Sequence, residues 1–338
     1  MMNRDTSNIF WKLIVIYLGL TAFLTARASA QETVIWEKTD AAPYTHAAFS
    51  HGGSILALGR EDTNTSDFLN SNDGTLIRSY SGNHNGTNAL VFTLDDQYIV
   101  SGTGAGGATL TLDLWRVSDG VRIFRLGDHN NGDHAVSLSP DGQYVATSGR
   151  FAREINIWHV PDMTQLISIP NTNDFGSTSR VKDVAFSPDG QTVASSDAYG
   201  IKFWNPFTGA VLLSISTPEA RSIAFSPDGQ FLAAATESEQ AVKLFSTSNG
   251  SLVRKLTVDT QFGFPVIAFS PSGRVLAAGY NTGSDAGALK FWSSKGTVID
   301  TIEKPGSIIS VAFAPKGGKM AYTQFGGHIT VSSFPFLR

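Results

Sequence analysis

The residues able to do chemistry are few and scattered. Seven histidines stand at positions 46, 51, 84, 129, 134, 159 and 328, and there is no cysteine. The missing thiols rule out disulfides, thiolate zinc, iron–sulfur clusters and a cysteine nucleophile. The densest polar cluster is Gly127-Asp128-His129-Asn130-Asn131-Gly132-Asp133-His134. Its side chains are metal-ligand types. A calcium loop, however, would place glycine sixth from the first aspartate and close with a glutamate. Here Gly132 is fifth and no glutamate follows. The segment reads as a solvated turn, and neither metal nor cofactor is expected. No Gly-x-Ser-x-Gly elbow and no His-Glu-x-x-His pair occur. Gly102-Thr103-Gly104-Ala105-Gly106-Gly107 does not open a helix, so it is not read as a phosphate cradle.

Positioning elements are therefore sought in repetition. One phrase recurs: apolar-x-Phe-Ser-Pro-Asp-Gly-Gln-x-apolar-Ala. It is clearest at Val184–Ala194 and Ile223–Ala233, and weaker copies can be aligned before and after. The anchoring residues are Phe49, Phe92, Leu138, Phe186, Phe225, Phe269 and Phe313, spaced by 43, 46, 48, 39, 44 and 44 residues. Each unit reads as four short strands, a to d. Ser-Pro-Asp-Gly makes the a–b reversal, with proline presetting one turn position and glycine accepting positive φ. Strand c ends in a large side chain: Leu69, Trp115, Trp158, Trp204, Phe245, Trp292, and Val331 in the last unit. A second glycine turn, such as Asp119-Gly120 or Thr208-Gly209, leads into strand d. With 33 Gly in 338 residues and only 16% charged residues, the composition suits turn-rich sheets covered on both faces better than helical solenoids.

Val184-x-Phe186-Ser187-Pro188-Asp189-Gly190, then Ile201-Lys202-Phe203-Trp204-Asn205 and Thr208-Gly209, resembles the WD-repeat β-propeller family. The resemblance covers residues 31–338. It implies an all-β, seven-bladed ring of four-stranded antiparallel blades that serves as an interaction platform. The sequence departs from the family pattern in two ways. The aspartate after the strand-c tryptophan is replaced by Arg116, His159, Asn205, Ser246 or Ser293, and the Gly-His pair before strand a is nearly absent. The family's full buried hydrogen-bond network is therefore not expected. The last unit stops after strand c. Thr33–Lys38 is strand-like and is expected to supply its missing outer strand, closing the ring.

Residues 1–30 read as a secretory signal peptide. Leu13–Ala26 carries no charge, and Ala28-Ser29-Ala30 is a small-x-small cleavage site. The apolar run is shorter than the ~20 residues of a spanning helix. The expected location is therefore secreted or periplasmic, with no membrane span after cleavage. A secreted chain without cysteine fits a bacterial envelope. The formal charge of −4 shows no basic excess, so no nucleic-acid partner is expected.

The a–b and c–d reversals are nearly constant, whereas the b–c and d–a connections vary and emerge on the other face. Recognition concentrates on such variable loops. Arg150, Phe151, Phe175, Tyr199, Arg221, Phe264 and Tyr280 are the binding candidates there, since aromatic and arginine side chains anchor interfaces. The partner would be a protein or an extracellular polymer, and the chain a monomer. The alternative is a propeller-fold envelope enzyme of lactonase, lyase or hydrolase type. It would use His46, His134 and Asp183, which stand near the starts of the innermost strands at the channel mouth.

Overall fold

The computed structural model describes residues 32–60, 65–81, 86–103, 110–129, 133–149, 153–172, 180–258, 266–283, 285–316 and 318–337. These residues form seven four-stranded antiparallel sheets and one short 3-10 turn at Pro335–Leu337. Every anchor residue is the last residue of a strand a: Tyr44–Phe49, Thr87–Phe92, Asp133–Leu138, Asp183–Phe186, Ala220–Phe225, Val266–Phe269 and Ile308–Phe313. Each strand a touches the strand a of the next blade, and the last touches the first, so the seven sheets close a ring.

The a–b reversal shows why the repeated phrase reads as it does. In blade 4 the Ser187 hydroxyl donates to Asp189 Oδ1 at 2.6 Å and accepts from Thr192 N–H at 3.0 Å. Asp189 Oδ1 also accepts from Gln191 N–H at 3.0 Å. Blades 2, 3 and 5 repeat this set with Thr93/Asp95, Ser139/Asp141 and Ser226/Asp228. In blade 6 Ser272 replaces the aspartate, and the corresponding contacts lengthen to 3.3 and 3.4 Å. Blade 2 has Asp96 at the glycine place, held at φ 56°. Its carboxylate repays that strained conformation by accepting from His51 and Gly52 N–H, both at 2.7 Å, across to blade 1.

Strands b and c are buried almost throughout, because each blade is covered on both faces by its neighbours. The strand-c tryptophans are anchored as well as buried. Trp115, Trp158 and Trp204 donate their indole N–H to Ser101, Thr147 and Ser195 on strand b, at 3.0, 3.0 and 2.8 Å. This part of a buried network survives without the aspartate that would follow each tryptophan. Two residues before the large side chain, strand c carries Asp67, Asp113, Asn156, Lys202, Lys243, Lys290 and Thr330 in turn. These polar groups are partnered rather than solvated. Arg125 grips Asp113 with two bonds of 2.8 and 2.9 Å, and the ammonium groups of Lys202 and Lys290 lie over the rings of Trp204 and Trp292.

Blade 7 consists of Ile308–Phe313, Lys319–Gln324, His328–Ser333 and, as its outer strand, Thr33–Thr39. The N-terminal strand thus closes the ring as the sequence suggested. Its register runs antiparallel from Thr33 opposite Ser333 to Thr39 opposite His328, with an irregularity between Val34 and Trp36. The register corrects one assignment: Met320 faces Ser332, so Ser332 and not Val331 holds the place of the strand-c ring. Trp36 packs against Gly74 of blade 1 and donates its indole N–H to Ser71 O at 3.0 Å. Glu32 Oε1 accepts from Tyr322 Oη at 2.9 Å and Ser332 Oγ at 2.7 Å, and Lys304 pairs with Oε2. Burial opposes ionisation of Glu32, but hydrogen bonds from Lys304, Ser332 and Tyr322 outweigh it and hold the carboxyl below its ordinary range. Deleting residues 31–40 should lower the thermal midpoint by more than about 10 °C, since it uncovers a whole blade edge. An unchanged melt in a scanning calorimeter would contradict this closure.

Candidate functional site

The inner strands carry a repeated place three residues before the anchor: His46, Ala89, Ala135, Asp183, Ser222, Val266 and Ser310. Several of these side chains staple one blade to the next. Asp183 Oδ2 accepts from Ile223 N–H of blade 5 at 2.7 Å. Ser222 accepts from Ile267 N–H at 3.4 Å, and Ser310 from Ala47 N–H at 3.3 Å. Asp183 therefore does in blade 4 what serine does in blades 5 and 7. Its other oxygen accepts from Val184 N–H at 2.8 Å. Burial nonetheless pushes its pKa up to about 7, against the pull of the two backbone donors. His46 is half-buried in the equivalent place of blade 1, and desolvation alone takes its pKa down to about 4. No hydrogen bond joins it to Asp183.

Of the three residues read as a channel mouth, Asp183 is thus engaged by backbone and His46 stands three blades away along the ring. His134 is the second residue of strand a of blade 3, and its side chain lies outside the described part. Among the described residues no group of three or more His, Asp or Glu could hold a metal ion.

Among the described residues, the face carrying the b–c and d–a connections exposes two large rings. Tyr199 is 62% exposed and Phe325 65% exposed, at the b–c tips of blades 4 and 7. Tyr199 is held by chemistry beneath it. Buried Asp197 accepts from Tyr199 N–H at 2.7 Å and Gly200 N–H at 2.9 Å, and its second oxygen accepts from Asn171 Nδ2 at 2.9 Å. The Asp197 N–H in turn donates to Gly200 O. Beside it, Arg221 Nε donates to Glu237 Oε2 at 3.1 Å, an exposed pair between strand a of blade 5 and the turn that follows its strand b. Lys182 lies close to the same charges. Desolvation lowers its pKa first and the Arg221 charge adds to that, partly offset by Glu219, Glu237 and Asp197.

Tyr280 requires a correction. It is only 1% exposed, because strand b of blade 6 extends over Val275–Gly283 and carries this residue into the core, opposite Ala288 of strand c. Arg150, Phe151, Phe175 and Phe264 lie outside the described residues. Phe325 was identifiable in sequence only as the end of a strand b. What distinguishes it is the following Gly326-Gly327. A Cβ at Gly327 would fall 2.0 Å from Asp40 O, so the loop turns tightly and leaves the ring outside.

The raised pKa of Asp183 has a definite linkage sign. Its carboxyl is neutral more readily in the fold than in the unfolded chain. Its stabilising contribution is full below about pH 4 and is lost as pH rises through about 7. Asp183→Ser should keep the bond to Ile223 and remove the titration. The melting difference, wild type minus variant, should then fall steadily between pH 4 and pH 8; a difference flat with pH would contradict the assignment. His46 titrates in both proteins and cancels.

Residues 170–205 and 213–246 match the family described as WD domain, G-beta repeat. These stretches run from the end of blade 3 through strand c of blade 4, and from strand d of blade 4 through strand c of blade 5. The chain is also similar to "Anaphase-promoting complex subunit cdc20" of Dictyostelium discoideum. The two are 26% identical over 162 residues, which is 47% of this chain and 31% of that protein. The match thus covers under a third of that relative's length. The two family matches together cover 70 of the 338 residues, both within the seven-bladed ring.

Proposed function

We propose that this protein is a non-catalytic interaction platform that binds a protein partner through the face carrying the b–c and d–a connections. The observation that carries this reading is Tyr199. A buried carboxylate, two backbone donors and the Asn171 amide fix a loop whose tip exposes an aromatic ring to solvent. Such pre-organisation reduces the entropy lost on binding and so favours affinity. Phe325 offers a second ring, and the Arg221–Glu237 pair supplies polar contacts of the kind found at an interface rim. The family's general use as a protein-binding scaffold supports the reading, as does the similarity to a protein named as a subunit of a complex. Proximity labelling with the wild type, Tyr199→Ala and Phe325→Ala should show the same partner lost at least tenfold in one or both variants. Partners unchanged in both would overturn the choice of face.

We also propose that residues 1–30 direct export and are removed. The support is their composition, together with the engagement of Glu32 by blades 6 and 7 two residues after the expected cleavage site. Intact-mass analysis of the exported protein should give a chain beginning at Gln31; a protein retained with Met1 would contradict it.

A further inference from the structure

On the opposite face, where the a–b and c–d turns lie, the grooves between blades differ in what fills them. Between blades 6 and 7 the groove is filled by the chain's own tail. After strand c of blade 7, Phe334 turns inward with no exposed surface and meets Phe291 of blade 6 at 5.1 Å between ring centres. Phe336 meets Phe291 at 5.1 Å and Phe334 at 5.3 Å, and Pro335–Leu337 form the 3-10 turn that places them. About 170 Å³ remains open beside Leu337.

The groove between blades 4 and 5 has the same construction without that filling. Phe203 stands where Phe291 stands, and Phe225 where Phe313 stands. Their rings meet at 5.6 Å. The place of Phe334, two residues beyond the strand-c ring, is held by Thr247. Its hydroxyl donates to Gly229 O at 2.7 Å, and the side chain is too short to cover the aromatic floor. The cavity is about 450 Å³, walled by Ser187-Pro188-Asp189, Thr192, Asp228, Gly229 and Thr247. The two rims also differ in charge: Lys316 and Lys319 border the filled groove, Asp189 and Asp228 the open one. Asp189 is held ionised by its bonds from the Ser187 hydroxyl and Gln191 N–H.

We propose that the groove between blades 4 and 5 is a docking site for a short segment of a partner protein, carrying an aromatic–proline–aromatic core followed by a basic residue. The aromatic core is the chemistry that the chain's own tail shows to fit this groove. The basic residue answers Asp189 and Asp228. This site is separate from the face proposed above and stands or falls independently of it.

The probe is a labelled synthetic peptide with the sequence of residues 332–338, Ser-Ser-Phe-Pro-Phe-Leu-Arg. It should bind the full chain saturably, with a dissociation constant below about 100 µM. Thr247→Phe, which copies the side chain filling the other groove, should weaken binding at least tenfold. Asp228→Asn, which removes the charge and keeps an amide oxygen to accept from Ser226 and Gln230, should weaken it several-fold with little change in the melt. It decides the matter if Thr247→Phe does not fold. A peptide with both phenylalanines replaced by serine should not bind. Absence of saturable binding to the wild type would overturn the proposal, and so would binding indifferent to the groove substitutions. The second result would show the peptide entering elsewhere, for instance by displacing the native tail.

Discussion

Everything in this molecule depends on one constraint: a blade has two apolar faces, and only other blades can cover them. A four-stranded sheet with strands b and c buried on both sides cannot stand alone in water. An open row of such sheets would leave two faces and an edge exposed. The ring removes that exposure, provided that the seventh blade is complete. The chain completes it with a strand from its other end, and the junction is reinforced by Trp36 against blade 1 and Glu32 among Lys304, Tyr322 and Ser332. The closure ties together residues roughly 300 positions apart with hydrogen bonds and packing, in a chain that has no cysteine to do so covalently.

The fold was legible because its determinants are local and repeated. Ser-Pro-Asp-Gly encodes a turn whose serine hydroxyl and aspartate carboxylate bond within five residues, so the phrase marks the end of each strand a without any knowledge of the ring. Where the phrase weakens, the anchors can still be found, because each anchor directly precedes its turn. The reading failed for the strand-c place in blade 7. No aromatic marks that position, and only the pairing of Met320 with Ser332 reveals it.

The candidate site was less legible because its chemistry comes from pairing between blades. Asp183 has the residue type of an acid catalyst, yet its register makes it the equivalent of Ser222 and Ser310, a staple from one inner strand to the next. Tyr280 looks like a loop aromatic until the length of its strand places it inside. Conversely, the tail Phe334-Pro335-Phe336 gave no signal in sequence. Its meaning lies in the groove it fills, and that groove exists only after blades 6 and 7 have met. On the proposed reading, the ring separates stability from recognition. Strand interiors and staples make a rigid body, while loop tips and unfilled grooves are free to vary.

Native-state hydrogen exchange tests the central claim most directly, since it reads whether the terminal strand opens with the ring or apart from it. The account predicts that the paired amides of Thr33–Thr39 are protected to within about tenfold of those in Val193–Ser196 of blade 4, because closure makes the blades one cooperative unit. Exchange of Thr33–Thr39 at the rate of a frayed terminus, while blade 4 stays protected, would contradict it.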